Sequence, residues 1–91
     1  MNYELLFTKK ASEDIKLLKK SDSSAYKKLE KLLFELMEHP FTGSGNPEML
    51  KHTLSGLYSR RISQKHRLIY SVDDNQIIVT ILSAKNHYKD K

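Results

Sequence analysis

All three arginines of this chain, Arg60, Arg61 and Arg67, lie within residues 54–70, and every other permanently basic side chain is a lysine. A guanidinium is a planar fork that binds phosphate oxygens through two parallel hydrogen bonds, whereas lysine is a flexible point charge. Apolar residues alternate on both sides of a polar segment at residues 64–66, which predicts a β-hairpin. Arg61 and Arg67 are then expected on one open face of the sheet, with Arg60 as the exception. Two guanidiniums on one face favour phosphate binding, although a surface strand also carries charges for solubility alone.

Glu48 is the only carboxylate within residues 39–72 and stands in the middle of this basic region. The preceding loop, residues 40–47, contains glycine and proline and is expected to fix the backbone of Glu48. Spacing alone allows two roles for this side chain: a general base, or an ion-pair partner of Lys51 or Arg61.

Four histidines are candidates for a general acid. His87 directly follows the predicted last strand, so the chain can carry it back over the sheet. His39 is assigned to a helix end, His52 to a loop and His66 to the hairpin turn. No pair of histidines has the spacing of a metal site, so no metal is expected.

A general base, a general acid and two guanidiniums meet the needs of RNA cleavage by the neighbouring 2′-hydroxyl. The base removes the hydroxyl proton, the acid protonates the leaving 5′-oxygen, and the cations stabilise the charged phosphorane. Acid–base catalysis typically contributes about 10²–10⁴-fold, so the cations are expected to contribute comparably. This chemistry requires no cofactor.

Composition limits the class of protein. Ninety-one residues with 38% hydrophobic content predict one domain over residues 1–91, with one modest core. The absence of cysteine excludes disulfides, zinc–thiolate sites and thiol catalysis. No apolar signal region or membrane-spanning run is apparent, which predicts a soluble, cytoplasmic protein that does not contact the membrane. The net charge of +5 favours an acidic partner, either nucleic acid or an acidic protein.

The pattern of the chain predicts an α+β fold in which two N-terminal helices cover one face of an antiparallel, twisted β-sheet. The other face is left open and holds Arg61 and Arg67. A turn follows the hairpin, with Asn75 expected to take a positive φ. The predicted elements are a strand over residues 2–8, a helix from its cap Thr8 to about Lys20, a helix over residues 23–38, the hairpin, and a central strand over residues 76–82. The expected core residues are Tyr3, Leu5, Phe7, Ala11, Ile15, Leu18, Leu29, Leu32, Leu33, Leu36, Met37, Tyr58, Ile62, Leu68, Tyr70 and Val72. The expected solvated face of the second helix comprises Lys27, Lys28, Glu30, Lys31 and Glu35.

Three segments of the sequence closely resemble one family: residues 40–52 (PFTGSGNPEMLKH), residues 54–62 (LSGLYSRRI) and residues 66–70 (HRLIY), with a further match at the terminal His87-Tyr88 pair. The family is the YoeB (Txe) toxin endoribonucleases, within the RelE-like superfamily of toxin–antitoxin systems. The resemblance implies a RelE-like, microbial-ribonuclease-like fold. It also implies an mRNA interferase that cleaves translated mRNA in the A site of the ribosome, is inhibited by a YefM-like antitoxin and often forms a homodimer.

The resemblance also assigns roles to residues of this chain. The catalytic glutamate of the family corresponds to Glu48 and its transition-state arginine to Arg67. The terminal histidine and tyrosine correspond to His87 and Tyr88, and the supporting basic positions to Lys51 and Arg61. The chain departs from the family pattern at Met49, Tyr58 and Asn86, and in its Lys89-Asp90-Lys91 extension.

Two other function classes are compatible with the residues alone. A basic sheet face fits a non-catalytic RNA- or DNA-binding module, for which Tyr88 is the main candidate for base stacking. The third class is a purely structural subunit of a protein complex, which the placement of the arginines disfavours. The chemistry of the RNA product ends separates the nuclease from the binding module.

Overall fold

A computed structural model describes residues 2–51 and 55–85 of the chain. Within them the order of elements is strand, two helices and four further strands. The elements are β1 (Glu4–Phe7), α1 (Lys9–Ser21), α2 (Ser23–Glu38), β2 (Glu48–Met49), β3 (Tyr58–Arg61), β4 (Arg67–Asp73) and β5 (Ile78–Ser83). The predicted α+β class is confirmed, and the two predicted helices end within one residue of their expected positions.

Side chains cap both helices at their first turns. The hydroxyl of Thr8 accepts a hydrogen bond from the backbone N–H of Ala11 at 3.1 Å, as predicted for the cap of α1. The carboxylate of Asp22 accepts from the N–H of Ala25 at 3.1 Å and caps α2. Each cap satisfies one of the N–H groups that the first turn of a helix leaves without a partner. Asp22 is the single residue between the two helices, and its N–H also donates to the carbonyl of Leu18 at 2.9 Å, so it both ends α1 and begins α2.

The five strands form one sheet in the order β1-β5-β4-β3-β2. The β2–β3, β3–β4 and β4–β5 pairs are antiparallel, but β1 runs parallel to β5. The prediction of an antiparallel sheet is therefore wrong for this pair, and the sheet is mixed. Strand direction here depends on how β5 arrives beside β1, more than 70 residues later in the sequence, and no local pattern records it.

Both helices pack on one face of the sheet, as predicted. Leucines from the two helices meet β-strand residues in a core from which solvent is excluded. Phe7 was expected in this core but is 44% exposed, whereas Leu5, two residues earlier, packs against it. The predicted Ile15, Leu33 and Met37 are only partly buried. The buried apolar residues are Ala11, Leu18, Ala25, Leu29, Leu32, Leu36, Ile62, Leu68, Ile69, Tyr70, Val79, Ile81 and Ala84.

The turn between β4 and β5 differs from the prediction in one detail. The carboxylate of Asp73 accepts hydrogen bonds from the N–H groups of Asn75 and Gln76, at 3.0 and 3.1 Å. This local bonding forms the turn without a positive φ at Asn75, and Ile77 takes φ of +60° instead.

Among the described residues, no helix combines the length and the apolar character needed to cross a membrane.

Candidate active site

The β3–β4 hairpin places two arginines directly opposite each other. In the antiparallel register Arg61 pairs with Arg67, Arg60 with Leu68 and Ser59 with Ile69. The hairpin and the shared face of Arg61 and Arg67 are as predicted. Like charges directly opposite in a sheet are destabilising, so this arrangement favours an anion between or above the two guanidiniums.

Glu48 joins this face through the short edge strand β2. It pairs with Ser59 of β3, and its Oε1 lies 3.7 Å from Nη1 of Arg67. The same Arg67 nitrogen donates to the hydroxyl of Ser59 at 3.4 Å. The structure thus gives Glu48 the ion-pair partner Arg67, where the sequence suggested Lys51 or Arg61. The Glu48 side chain is 51% exposed and the Arg67 side chain 16%, so both are accessible to a ligand.

Of the remaining candidate residues, the structure describes Lys51 and His66. Lys51 is exposed and follows Leu50, whose N–H donates to the carbonyl of Leu57 at 2.9 Å. His66, an alternative acid, is buried in the hairpin turn, where its carbonyl accepts from the N–H of Ile62 at 3.0 Å. The other candidates, His52, His87 and Tyr88, lie outside the described residues.

Arg60 lies on the opposite side of β3, as its status as the exception among the three arginines predicted, and no role was assigned to it from the sequence. Its side chain is fully buried beneath the loop of residues 39–46. Its Nη1 lies 3.2 Å from Oε1 of Glu35, which the sequence placed on the solvated face of α2. That assignment is wrong, because Glu35 is half-buried and also accepts from the N–H of Ser44 at 2.7 Å. The sequence contained part of this information. Arg60 lies between Tyr58 and Ile62, and the alternation of β3 places it on the same inward face as these two residues.

Hydrogen bonding and burial, together with the charge of Arg60, shift the pKa values of two groups near Arg60. The hydrogen bond from Ser44, together with the charge of Arg60, lowers the pKa of Glu35 below its usual 4.5. Burial raises the pKa of the Tyr70 phenol above its usual 10.0, against an opposing contribution from Arg60. Glu35 is therefore ionised and Tyr70 neutral at neutral pH. In the described parts of the chain, no three His, Asp or Glu side chains are grouped so as to hold a metal ion.

Comparison with known proteins identifies the family. Residues 7–88 match the model of the YoeB-like toxins of bacterial type II toxin–antitoxin systems. This chain belongs to the YoeB toxin family. It is 35% identical over 85 residues to toxin YoeB of Escherichia coli (strain K12), a match that covers 93% of this chain and 99% of that protein.

Solved structures of YoeB toxins agree with this assignment. The YoeB dimer from Staphylococcus aureus is similar to this chain with a TM-score of 0.82 and 39% identity, covering 97% of this chain and 100% of that one. The YoeB chain of a heterotetrameric YoeB–YefM toxin–antitoxin complex from the same species has a TM-score of 0.79 and 40% identity, with the same coverage. The RelE-like fold predicted from the resemblance is confirmed.

Proposed function

We propose that this YoeB-family toxin is an endoribonuclease that cleaves translated mRNA in the A site of the ribosome, without a metal ion or another cofactor. The observation that supports this most directly is the grouping of Glu48, Arg61 and Arg67 on one sheet face, opposite the face on which the helices pack. Arg67 lies 3.7 Å from Glu48 and directly opposite Arg61 in the strand register. This grouping offers one carboxylate and two phosphate-binding forks at a surface without a covering helix.

In the proposed reaction Glu48 takes the proton from the ribose 2′-hydroxyl. The 2′-oxygen then forms a bond to the adjacent phosphorus, and the bond from phosphorus to the 5′-oxygen breaks. His87 donates a proton to that 5′-oxygen, and Tyr88 positions the substrate or the leaving group. Arg67 stabilises the charge on the phosphorane, supported by Arg61 and Lys51. The products are a 2′,3′-cyclic phosphate and a 5′-hydroxyl.

The proposed partners follow from charge and from the family. The relative from Staphylococcus aureus is found with YefM and as a dimer. For this chain, whose net charge is +5, we propose an acidic YefM-like antitoxin that folds on binding, a homodimer, and a cytoplasmic location together with ribosomes. Antitoxin binding should weaken as salt is added, because its contacts would be largely charge-based.

Analysis of product ends tests the proposed reaction. Translating ribosomes are incubated with the protein, and new RNA ends are mapped and tested for 2′,3′-cyclic phosphate and 5′-hydroxyl groups. The wild-type protein should produce both kinds of end. Glu48→Gln should lose cleavage but still bind ribosomes, because an amide nitrogen replaces one carboxylate oxygen with almost no change in volume. The alternative function, a non-catalytic RNA-binding module on the same basic face, would give binding without new ends.

A shortened chain tests the proposed acid. Ending the protein at Asn86 removes His87 and Tyr88, and cleavage should nearly disappear. Thermal stability should change by only a few degrees, because terminal segments beyond the last strand contribute little to a core unless they dock. Removing only residues 89–91 is the matched control and should have much less effect. Full activity of the shortened chain would place the acid elsewhere, with His52 or His66 the next candidates.

A further inference from the structure

Arg60 donates three hydrogen bonds to the loop that leads to Glu48 and two to the side chains of Glu35 and Tyr70. A guanidinium has five N–H donors, and Arg60 makes five hydrogen bonds. Its Nε donates to the Tyr70 hydroxyl at 3.1 Å, Nη1 to Glu35 at 3.2 Å and to the Ser44 carbonyl at 3.4 Å, and Nη2 to the carbonyls of Thr42, at 2.6 Å, and His39. A side chain whose donors are all committed inside the protein is held in one orientation, and so is the backbone that it bonds.

Tyr70 and Glu35 complete the attachment of this loop. The hydroxyl of Tyr70 accepts from Arg60 and donates to the carbonyl of Pro40 at 3.0 Å. Glu35 accepts both from Arg60 and from the N–H of Ser44. The loop is therefore fixed at its start by Tyr70 and further along by Glu35, with Arg60 between them.

The end of the loop is fixed to the active-site strand itself. The carbonyl of Gly45 accepts from the N–H of Arg61 at 2.6 Å, three residues before Glu48. The approach is close: a Cβ on Gly45 would lie 2.9 Å from the Arg61 carbonyl oxygen and 3.2 Å from Cβ of Arg60. Gly45 also has φ of +82°, which favours glycine. Only Asn46 and Pro47 separate this anchored glycine from the proposed base.

We propose that Arg60, held by Glu35 and Tyr70, is a positioning residue for catalysis: by fixing the loop of residues 39–46 it sets the distance between Glu48 and Arg67. This inference rests on the proposed nuclease function. Strand β2 contains only two residues, Glu48 and Met49, so its pairing with β3 supplies few hydrogen bonds of its own. The position of Glu48 consequently depends on the loop that precedes it. A displacement of about 1 Å at a catalytic group can reduce a rate by about 100-fold.

The test variant is Tyr70→Phe, which removes the hydroxyl that joins Arg60 to Pro40 and keeps the ring that stacks on Tyr58. The matched control is Tyr58→Phe, which removes a hydroxyl from the same ring pair. Within residues 2–51 and 55–85, the Tyr58 hydroxyl makes no hydrogen bond to Arg60 or to the loop of residues 39–46. Single-turnover cleavage on translating ribosomes is measured over a range of protein concentrations at 25 °C, with folding checked by circular dichroism. Tyr70→Phe should lower the maximal rate about 10- to 100-fold with an unchanged half-saturating concentration, and Tyr58→Phe should leave both values near wild type.

A second readout follows Glu48 directly and does not require activity. In the full-length protein with ¹³C-labelled glutamate, the Glu48 carboxyl signal is assigned by its loss in Glu48→Gln. Tyr70→Phe should shift this signal, and Tyr58→Phe should not. A second pair of variants repeats this comparison. Glu35→Gln should also shift the Glu48 signal, and Glu30→Gln, an exposed change on the same helix, should not.

Each contrary outcome has a definite meaning. A folded Tyr70→Phe protein that cleaves within about twofold of wild type overturns the proposal, even if its melting temperature falls, because Arg60 would then only stabilise the fold. A reduced rate with an unchanged Glu48 signal also overturns it, since the effect would not pass through Glu48. Failure of the wild-type protein to cleave would count against the proposed function instead, and the carboxyl signal would still report whether Arg60 positions Glu48.

Discussion

Arg60 and Arg67 occupy opposite faces of the same hairpin and show how one residue type takes two roles. Arg60 is fully buried, and the protein itself occupies all five of its donors. Arg67 is 16% exposed and makes longer contacts, 3.4 Å to Ser59 and 3.7 Å to Glu48. The first guanidinium is committed to structure, whereas under the proposed function the second would exchange its contacts for those of a phosphate.

This difference has a simple physical cause. Successive side chains of a strand point to opposite faces, so Arg60 and Arg61 diverge although they are neighbours in sequence. The inward face of β3 meets α2 and its following loop, where exposed carbonyl groups require donors. On the outward face Arg61 is exposed to solvent, and Arg67 lies beside Glu48 of the edge strand β2. A buried charge is tolerated only when it is paired and hydrogen-bonded, which the loop around Arg60 provides.

The largest effect is expected from removing the buried guanidinium. Arg60→Met leaves Glu35 without its cation and the carbonyls of Thr42 and Ser44 without this donor. We expect the free energy of unfolding to fall by about 3–5 kcal/mol, as measured by urea denaturation. Arg61→Met, one position along the same strand, should change it by less than about 0.5 kcal/mol because Arg61 is exposed. Equal losses in the two variants would contradict the contrast between the faces.

Arg67→Lys should produce the next largest effect, on the rate and not on stability. Lysine keeps the charge but loses the planar fork, so cleavage on ribosomes should slow by about 100-fold while ribosome affinity changes less. Single-turnover rates and binding measurements on the same ribosome preparation separate the two quantities. Rate and affinity falling together would indicate that Arg67 docks the substrate and does not stabilise the transition state.

Gly45→Ala tests how closely the loop of residues 39–46 packs against β3, the strand that contains Arg60 and Arg61. The new Cβ would overlap the Arg61 carbonyl and force a side chain into φ of +82°. We expect a loss of about 1–3 kcal/mol in the free energy of unfolding, read from urea titrations. Gly56→Ala is the control: its φ of +93° is similarly unfavourable, but a Cβ there meets no described atom within 4 Å. Gly45→Ala should therefore cost more than the control, and the reverse order would contradict the close packing of the loop.

The smallest expected effect is on how the free energy of unfolding depends on pH in acid. The pKa of Glu35 is lower in the folded protein than its usual 4.5, so the unfolded chain takes up its proton first as the pH falls. The stability that Glu35 contributes is therefore present above about pH 4.5 and is lost as the pH falls through the lower folded value. Urea denaturation between pH 3 and 6 should show a shallower decline for Glu35→Gln than for wild type. Glu30→Gln, an exposed change on the same helix, should retain the wild-type slope; a slope for Glu35→Gln equal to wild type would argue against the pairing with Arg60.

Local patterns were sufficient for much of the fold. Thr8 as a cap and the leucine spacing of α2 predicted the helices because capping and amphipathic periodicity act within a few residues. Alternation in the hairpin placed Arg61 and Arg67 on one face for the same reason. The family motifs then pointed to Glu48, whose neighbours in sequence gave no indication of its partner in space.

The sequence by itself therefore determined the helices, the hairpin, the shared face of Arg61 and Arg67, and the family of this protein. Only the tertiary structure decided that Glu48 pairs with Arg67, that Glu35 reaches Arg60, and that β1 runs parallel to β5. Glu35 and Arg60 are 25 positions apart, and the partners in the β1–β5 pair are 74 positions apart. Such contacts depend on how the helices and strands pack against one another, and the periodicity of a single helix or strand carries no information about that packing.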